Sequence, residues 1–370
     1  MKKERPALSL LPLAFAALLA APAAPAQQTL AVGPGQPFAT IQSAIDAAAA
    51  GDTVLVAGGT YDESLDIDKG IRLIGQGAMF KTHSMVPRTT VHDLPASQTF
   101  EMVGFRTTGS AAVGDSYPIR AIDCLGPVRV RDLTQGSLLR WSLLFDNCQQ
   151  AHAAQVAATE VRNIVSSTVI EACSVVPKFS AGVLMLSGVM TLVDCEVTCG
   201  PLGGPGALVN GGLLVATRGH IAGGLTGSFA NPAISTSGGD VLLDPSTVLL
   251  PSPGGQPVTG TTPTVAPFAS LATADTGTTL AVLAHGPAGA PFATLFSAPS
   301  LPLATPFGIT WLDPGSALVL QLDAFGTTTR LASTTVPHPP LPPGTAFALQ
   351  SLVFDAGQLR LGVPSVIVMQ

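Results

Sequence analysis

The sequence predicts an all-β chain: a single-stranded, right-handed parallel β-helix with a helix capping its first turn, followed by a small antiparallel β-sandwich. Three observations point there. One short helical pattern near the start is followed by apolar strands only two to six residues apart, with no crossover helices between them. Parallel pairing without such helices requires the chain to wind as a stacked coil. Cys124, Cys148, Cys173 and Cys195 recur at intervals of 24, 25 and 22 residues, a beat suited to one coil of a three-sided stack. The chain is 46% hydrophobic and only 11% charged, with 39 Gly and 32 Pro, which describes short buried strands punctuated by turns.

The first element is a leader. Lys2, Lys3 and Arg5 precede an apolar run from Ala7 to Ala21, and Ala24-Pro25-Ala26 supplies the small residues of a peptidase site. Residues 1–26 read as a signal peptide, with Gln27 as the mature N-terminus. The run is shorter than the roughly 20 residues of a spanning helix. No later stretch offers a membrane span, so the expected location is secreted, periplasmic or cell-surface. Without residues 1–26 the chain carries 14 basic and 22 acidic residues, a net charge of −8. Nucleic acid is excluded as a partner, because it needs a concentrated basic face.

The body is expected over residues 27–250. In Thr40 to Ala50, Ile41, Ala44, Ile45 and Ala48 share one helical face, and Gly51 supplies a left-handed stop. A helix over about 40–50 would shield the unpaired edge of the first coil, with Ile41 and Ile45 as its plug. Strands follow at Thr53 to Ala57, Ser64 to Ile67 and Ile71 to Ile74, broken by Gly58-Gly59 and Asp68-Lys69-Gly70.

The runs Phe38-Ala39-Thr40-Ile41-Gln42-Ser43-Ala44-Ile45, Gly51-Asp52-Thr53-Val54, Gly59-Thr60-Tyr61-Asp62-Glu63 and Ile71-Arg72-Leu73-Ile74-Gly75 resemble the opening of the pectin-lyase-like β-helix superfamily. That superfamily includes pectin methylesterases, pectate lyases and surface proteins. The resemblance covers about residues 32–77. It implies the fold and carries no catalytic group.

Farther on, each of these four cysteines follows a strand-like segment with an acidic residue one or two places before it. Equivalent positions in successive coils would stack about 4.8 Å apart. The expectation is one inward column of Cys124, Cys148, Cys173 and Cys195, with roughly eight coils between Asp52 and Leu250. Residues 251–267, rich in Pro, Gly and Thr, read as a linker. Residues 268–370 read as the sandwich, from alternating runs such as Thr279 to Ala284 and Ala346 to Phe354. Pro306 to Asp313 and Leu349 to Asp355 are similar in style to C-terminal modules of exported bacterial β-rich proteins, which implies attachment or packing.

For chemistry, Asp123, Asp146, Glu171 and Asp194 form the best-populated polar column. Stacked carboxylates would recruit Ca²⁺, for which Asp146, Glu171 and Asp194 are the ligand candidates, or raise one pKa for acid–base work. The competing reading is a row of solvated turn residues. Resemblance to a pectate lyase would call for an Arg base beside such carboxylates, with Arg140 and Arg162 as candidates. Known enzyme signatures are missing: there is no adjacent Asp pair, Gly219-His220-Ile221 stands where Gly-His-Gly is wanted, and no Gly-Thr-Val-Asp-Phe segment occurs. Trp141 is the candidate carbohydrate platform. The expected role is a non-catalytic surface or glycan interaction with polysaccharide or cell-surface partners. The alternative is a Ca-assisted polysaccharide lyase.

Overall fold

A computed structural model describes residues 27–370 apart from 82–88, 109–115, 136–139, 178–180, 201–202, 218, 225–229, 244–246, 261–263, 266–267, 272–278, 328–330, 338–345, 356, 363–364 and 369–370. The signal-peptide expectation therefore lies outside the described residues. The chain is all-β; among the described residues it has a large parallel sheet of 26 strands and separate, smaller antiparallel sheets.

The parallel strands form ladders in which each rung pairs with the next passage of the chain. In the first ladder the register runs Thr29, Thr53, Arg72, Glu101, Arg129, His152, Val169, Thr191, Val215, Leu242, Thr264. Between rungs the chain visits a second ladder, beginning Gly59–Tyr61, Ala78–Lys81 and Arg106–Thr108. It then visits a third, beginning Leu65–Ile67, Thr89–His92, Ser116–Ile122 and Arg140–Asp146. The 14-residue strand Ala151–Ile164 turns through successive directions, pairing with Ser166–Glu171, Ser174–Val175 and Val183–Met185.

Alternation along each strand puts one set of side chains inside. On the first ladder Val54, Leu73, Met102, Val130, Ala153, Ile170, Leu192 and Ala216 occupy equivalent inward positions, and all are buried. Aromatic rings fill the wider upper rungs: Phe80 stacks on Phe105 at 5.1 Å and meets Trp141 edge-on at 6.1 Å. Inside, one polar residue is fully served. Asn163 donates to Ser166 O and Ser187 O and accepts from Thr168 Oγ1.

The expected helix over about 40–50 is cut back to seven residues, α1 (Ile41–Ala47). Ala48 already has extended backbone, so Gly51, at φ +92, serves a later corner and not the helix stop. Thr40 caps the start by accepting from Ser43 N, and Glu63 accepts from Ile41 N and Gln42 N at 3.1 Å each. These bonds satisfy N–H groups that a first helical turn leaves free. Ile41 and Ile45 are buried in the body's core.

The stretch expected as a linker contains rungs instead: Val258–Thr259 pairs with Ile234–Thr236, and Thr264–Val265 pairs with Asp240–Leu243. Local composition could not show this, because these two-residue strands are set by their neighbours. Beyond them, Phe268–Leu271, Thr279–His285 and Leu331–Pro337 form one antiparallel sheet. Leu318–Ala324, Pro291–Ser297, Ala346–Asp355 and Gln358–Leu361 form another, with Ser365–Val368 also on Ala346–Asp355. Ala284, Phe292, Phe325 and Val353 share a core that spans both, and Phe292 stacks on Phe325 at 4.2 Å. Among the described residues no helix is long and apolar enough to cross a membrane.

The cysteines do not form one column. Asp123 and Asn147 take left-handed φ at the corner after the third ladder, and Cys124 and Cys148 follow them. Ala172 and Asp194 take it at the corner after the first ladder, and Cys173 and Cys195 follow those. All four repeat one local motif, the thiol reaching the carbonyl two residues back: Ile122, Asp146, Glu171 and Val193 at 3.2–3.4 Å. The rung after Cys148 offers Ser166, whose hydroxyl accepts from Cys148 N, and Cys173 sits against Val156 N. Two buried thiol pairs result, Cys124 with Cys148 and Cys173 with Cys195, and none of the five cysteines is in a disulfide. Interaction between the two neighbouring thiols lowers the pKa of Cys124 and raises that of Cys148, and burial raises that of Cys195.

Candidate functional site

The outward side chains of the first ladder gather charge in its upper rungs. Arg72, Glu101, Arg129 and His152 occupy one outward column in successive rungs, and Arg131 and Glu171 occupy the column two residues on. Like positions sit one strand spacing apart, about 4.8 Å, so long side chains on neighbouring rungs meet. Arg72 Nε lies 2.8 Å from Glu101 Oε2, and Arg131 Nε lies 2.8 Å from Glu101 Oε1. Both oxygens of Glu101 are thus ion-paired with guanidinium groups, the Arg131 contact with hydrogen-bond geometry and the Arg72 contact without it. Arg131 also reaches Asp132, at 3.6 Å.

Arg129 is different. It is 8% exposed, and among the described residues no hydrogen bond or ion pair engages its guanidinium. Burial lowers its pKa, Glu101 counteracts this, and Arg131 adds to it. Arginine stays protonated under such pressure, so the charge remains.

A cleft of about 430 Å³ opens beside these groups, lined by Gln27, Thr53, Arg72, Gln98, Glu101 and Arg129 among others. Its floor is the first ladder and its wall is the corner where the chain returns from the third. Gln98 Oε1 accepts from Gly70 N at 2.7 Å, which ties the wall to the rung above. One rung below Arg129, His152 Nε2 lies 3.4 Å from Glu171 Oε2. Gln150 Nε2 donates to Ser300 O, so the C-terminal strands begin to cover the ladder there.

The residues singled out from sequence are dispersed. Asp123 sits exposed at a corner, accepting from Asn147 Nδ2 at 2.6 Å. Asp146 ends a third-ladder strand paired with Ile122 and Ile164. Glu171 faces outward on the first ladder beside His152, and Asp194 occupies the next corner, exposed. Asp123, Asp146, Glu171 and Asp194 are therefore not one column, and among the described residues no group of three or more His, Cys, Asp or Glu is placed to hold a metal. The Ca²⁺ ladder of Asp146, Glu171 and Asp194 is not assembled. Arg162 pairs with Glu160 on the third ladder, away from the cleft. Arg140 opens a third-ladder strand, and its side chain lies outside the described residues. Trp141 is 0% exposed, with Nε1 donating to Thr134 O at 3.2 Å, so its ring is interior packing and offers no platform to a sugar.

Arg72, Glu101 and Arg129 escaped sequence reasoning because the passages of chain between them are longer than the beat read from the cysteines. One signal was available: an Arg or Glu in an outward position of an otherwise Val- and Leu-rich strand, in Arg72–Gly75, Phe100–Val103 and Val128–Gln135. The chain matches no protein-family model and no curated protein.

Proposed function

We propose that the chain is an exported, right-handed parallel β-helix, capped by α1 and extended by a C-terminal β-sandwich, that binds surface glycans without catalysis. The fold reading is supported by ladders in which each rung pairs with the next passage of the chain. The helix supports it too, through Ile41 and Ile45 packed into the first rungs. The functional reading is carried by one observation: the upper half of the first ladder presents a polar cleft with Arg72, Glu101 and Arg129 in register. Stacked rungs hold side chains from distant sequence positions on one rigid surface, which is the pre-organisation a chain-like ligand needs.

The lyase alternative is weaker on the same geometry. It needs carboxylates that gather a cation and a base free to take a proton. Here Glu101 has both oxygens engaged, and the other acidic candidates sit apart. The test is direct. The mature protein should be retained on immobilised polysaccharide, and incubation with polygalacturonate and Ca²⁺ should yield no unsaturated product. Product formation would replace the binding reading with the enzymatic one.

A further inference from the structure

We propose that the cleft on the upper first ladder is an oxyanion-binding site, with the Arg129 guanidinium as its anchor. The inference deepens the glycan reading by naming the chemistry recognised, and rests on that reading only for where the anion is carried.

The argument begins with charge. Three guanidinium groups, on Arg72, Arg129 and Arg131, share a ladder region in which Glu101 is the one carboxylate lining the cleft. Glu101 spends one oxygen on Arg72 and the other on Arg131. Asp132 takes up part of the charge of Arg131 from the far side. Arg129 is left with five N–H donors and no acceptor among the described residues, although nine-tenths of the residue is covered. Holding a guanidinium this way is costly unless its donors meet water or a ligand in the space they face. The space is there: Arg129 lines the 430 Å³ cleft.

The shape of the donors selects the ligand. A guanidinium is a planar fork that matches two oxygens of one carboxylate, sulfate or phosphate group. Gln27, Gln98 and Thr99 add amide and hydroxyl donors along the same walls. A neutral sugar hydroxyl would satisfy one donor and leave the charge unmatched. A cation would meet Arg72 and Arg129. An oxyanion is the complementary group, either free in solution or carried on a sugar ring.

Calorimetric titration of the mature protein separates these cases. The probes are an oligosaccharide of uronic acids, a sulfated dextran oligosaccharide, neutral dextran and inorganic phosphate, each titrated into wild type, Arg129→Gln, Arg129→Lys and the control Arg162→Gln. Both charged oligosaccharides should bind wild type and Arg162→Gln alike, and Arg129→Gln should weaken them by about tenfold or more, the loss of one charge-assisted hydrogen-bonded pair. Arg129→Lys, which keeps the charge but not the fork, should fall between. Because Arg129 makes no hydrogen bond among the described residues, neither variant should lower the melting temperature. If phosphate binds in an Arg129-dependent way and no oligosaccharide does, the oxyanion site stands and the glycan reading falls. Equal binding of neutral and charged oligosaccharides, unaffected by Arg129→Gln, would sink the oxyanion site and keep the glycan reading. No binding of any probe would overturn both.

Discussion

The upper and lower halves of the first ladder share one backbone register but present opposite surfaces. From Arg72 to His152 the outward column carries Arg, Glu, Arg and His, and a cleft lies open beside it. From Val169 to Leu242 it carries Val, Thr, Val and Leu. There Val169 and Val193 are packed against Leu312 and Ala348 of the C-terminal module. Each such side chain contributes about 1.5–3 kcal/mol when taken fully out of water. Stacked parallel rungs thus leave outward positions free to specialise, because backbone pairing and inward packing already hold the rungs. One half opens a polar cleft and the other seats the C-terminal strands.

The strongest way to break this comparison is to place a charge in the seat. Val193 is 2% exposed, and Val193→Asp should cost about 3 kcal/mol or more through an unpaired buried carboxylate. Urea unfolding would read the loss, and limited proteolysis should release the C-terminal module first. Thr53→Asp, on the open half, should stay within about 0.5 kcal/mol of wild type. Equal losses in both variants would mean that the halves do not differ as described.

A smaller effect sharpens the contrast at the corners. After the third ladder, Asp93, Asp123 and Asn147 take left-handed φ in the upper rungs, and Val165, at φ +53, takes it below them. Asp and Asn tolerate that conformation, while a β-branched residue is strained there. Val165 is 59% exposed, so little packing is at stake. Val165→Asn should raise stability by about 1 kcal/mol, read as an upward shift in the denaturation midpoint with an unchanged slope. A loss of stability would mean that Val165 packs better than its exposure indicates.

The least of the expected effects is titratable. His92 lies 2.9 Å from Asp93 and 3.2 Å from Asp66 on the upper rungs of the third ladder. Its pKa is raised, first by the hydrogen bond to Asp93, with burial opposing and Asp66, Asp93 and Asp68 adding to the rise. A raised folded pKa stabilises the protein below the unfolded imidazole value of about 6.5, and this is lost as pH climbs through the raised value. Both carboxylates are well exposed, so the gain is only a few tenths of a kcal/mol. His92→Gln should flatten the stability profile upward from about pH 6.5. An unchanged profile would remove His92 as its source.

How much could be read in advance divides along the same line. The all-β class and the parallel body were visible in the short apolar strands after Gly51, since no helix intervened to carry crossovers. The cysteine beat was real as a local motif, a left-handed corner followed by a thiol that reaches back to a carbonyl. It failed as a column because rung length varies: the passage from Ala151 to its partner Thr168 is short, while that from Arg72 to its partner Glu101 is far longer. An almost even beat laid over uneven rungs therefore carried Cys173 past the rung position held by Ser166 and onto another corner. Trp141 looked like a platform only because an aromatic flanked by polar residues does not announce which way it faces.

By itself the sequence determined what is set within a few residues: strand or turn, inward or outward parity, the start of α1 at Thr40, and the polar character of the corners. The tertiary structure alone decided which residues become neighbours across rungs, and so brought Arg72, Glu101 and Arg129 together, separated the four cysteines into two pairs and covered Val193. The reason is that pairing between rungs depends on the summed length of every intervening loop. A few residues gained or lost in one corner shift all later alignments while leaving each local pattern unchanged.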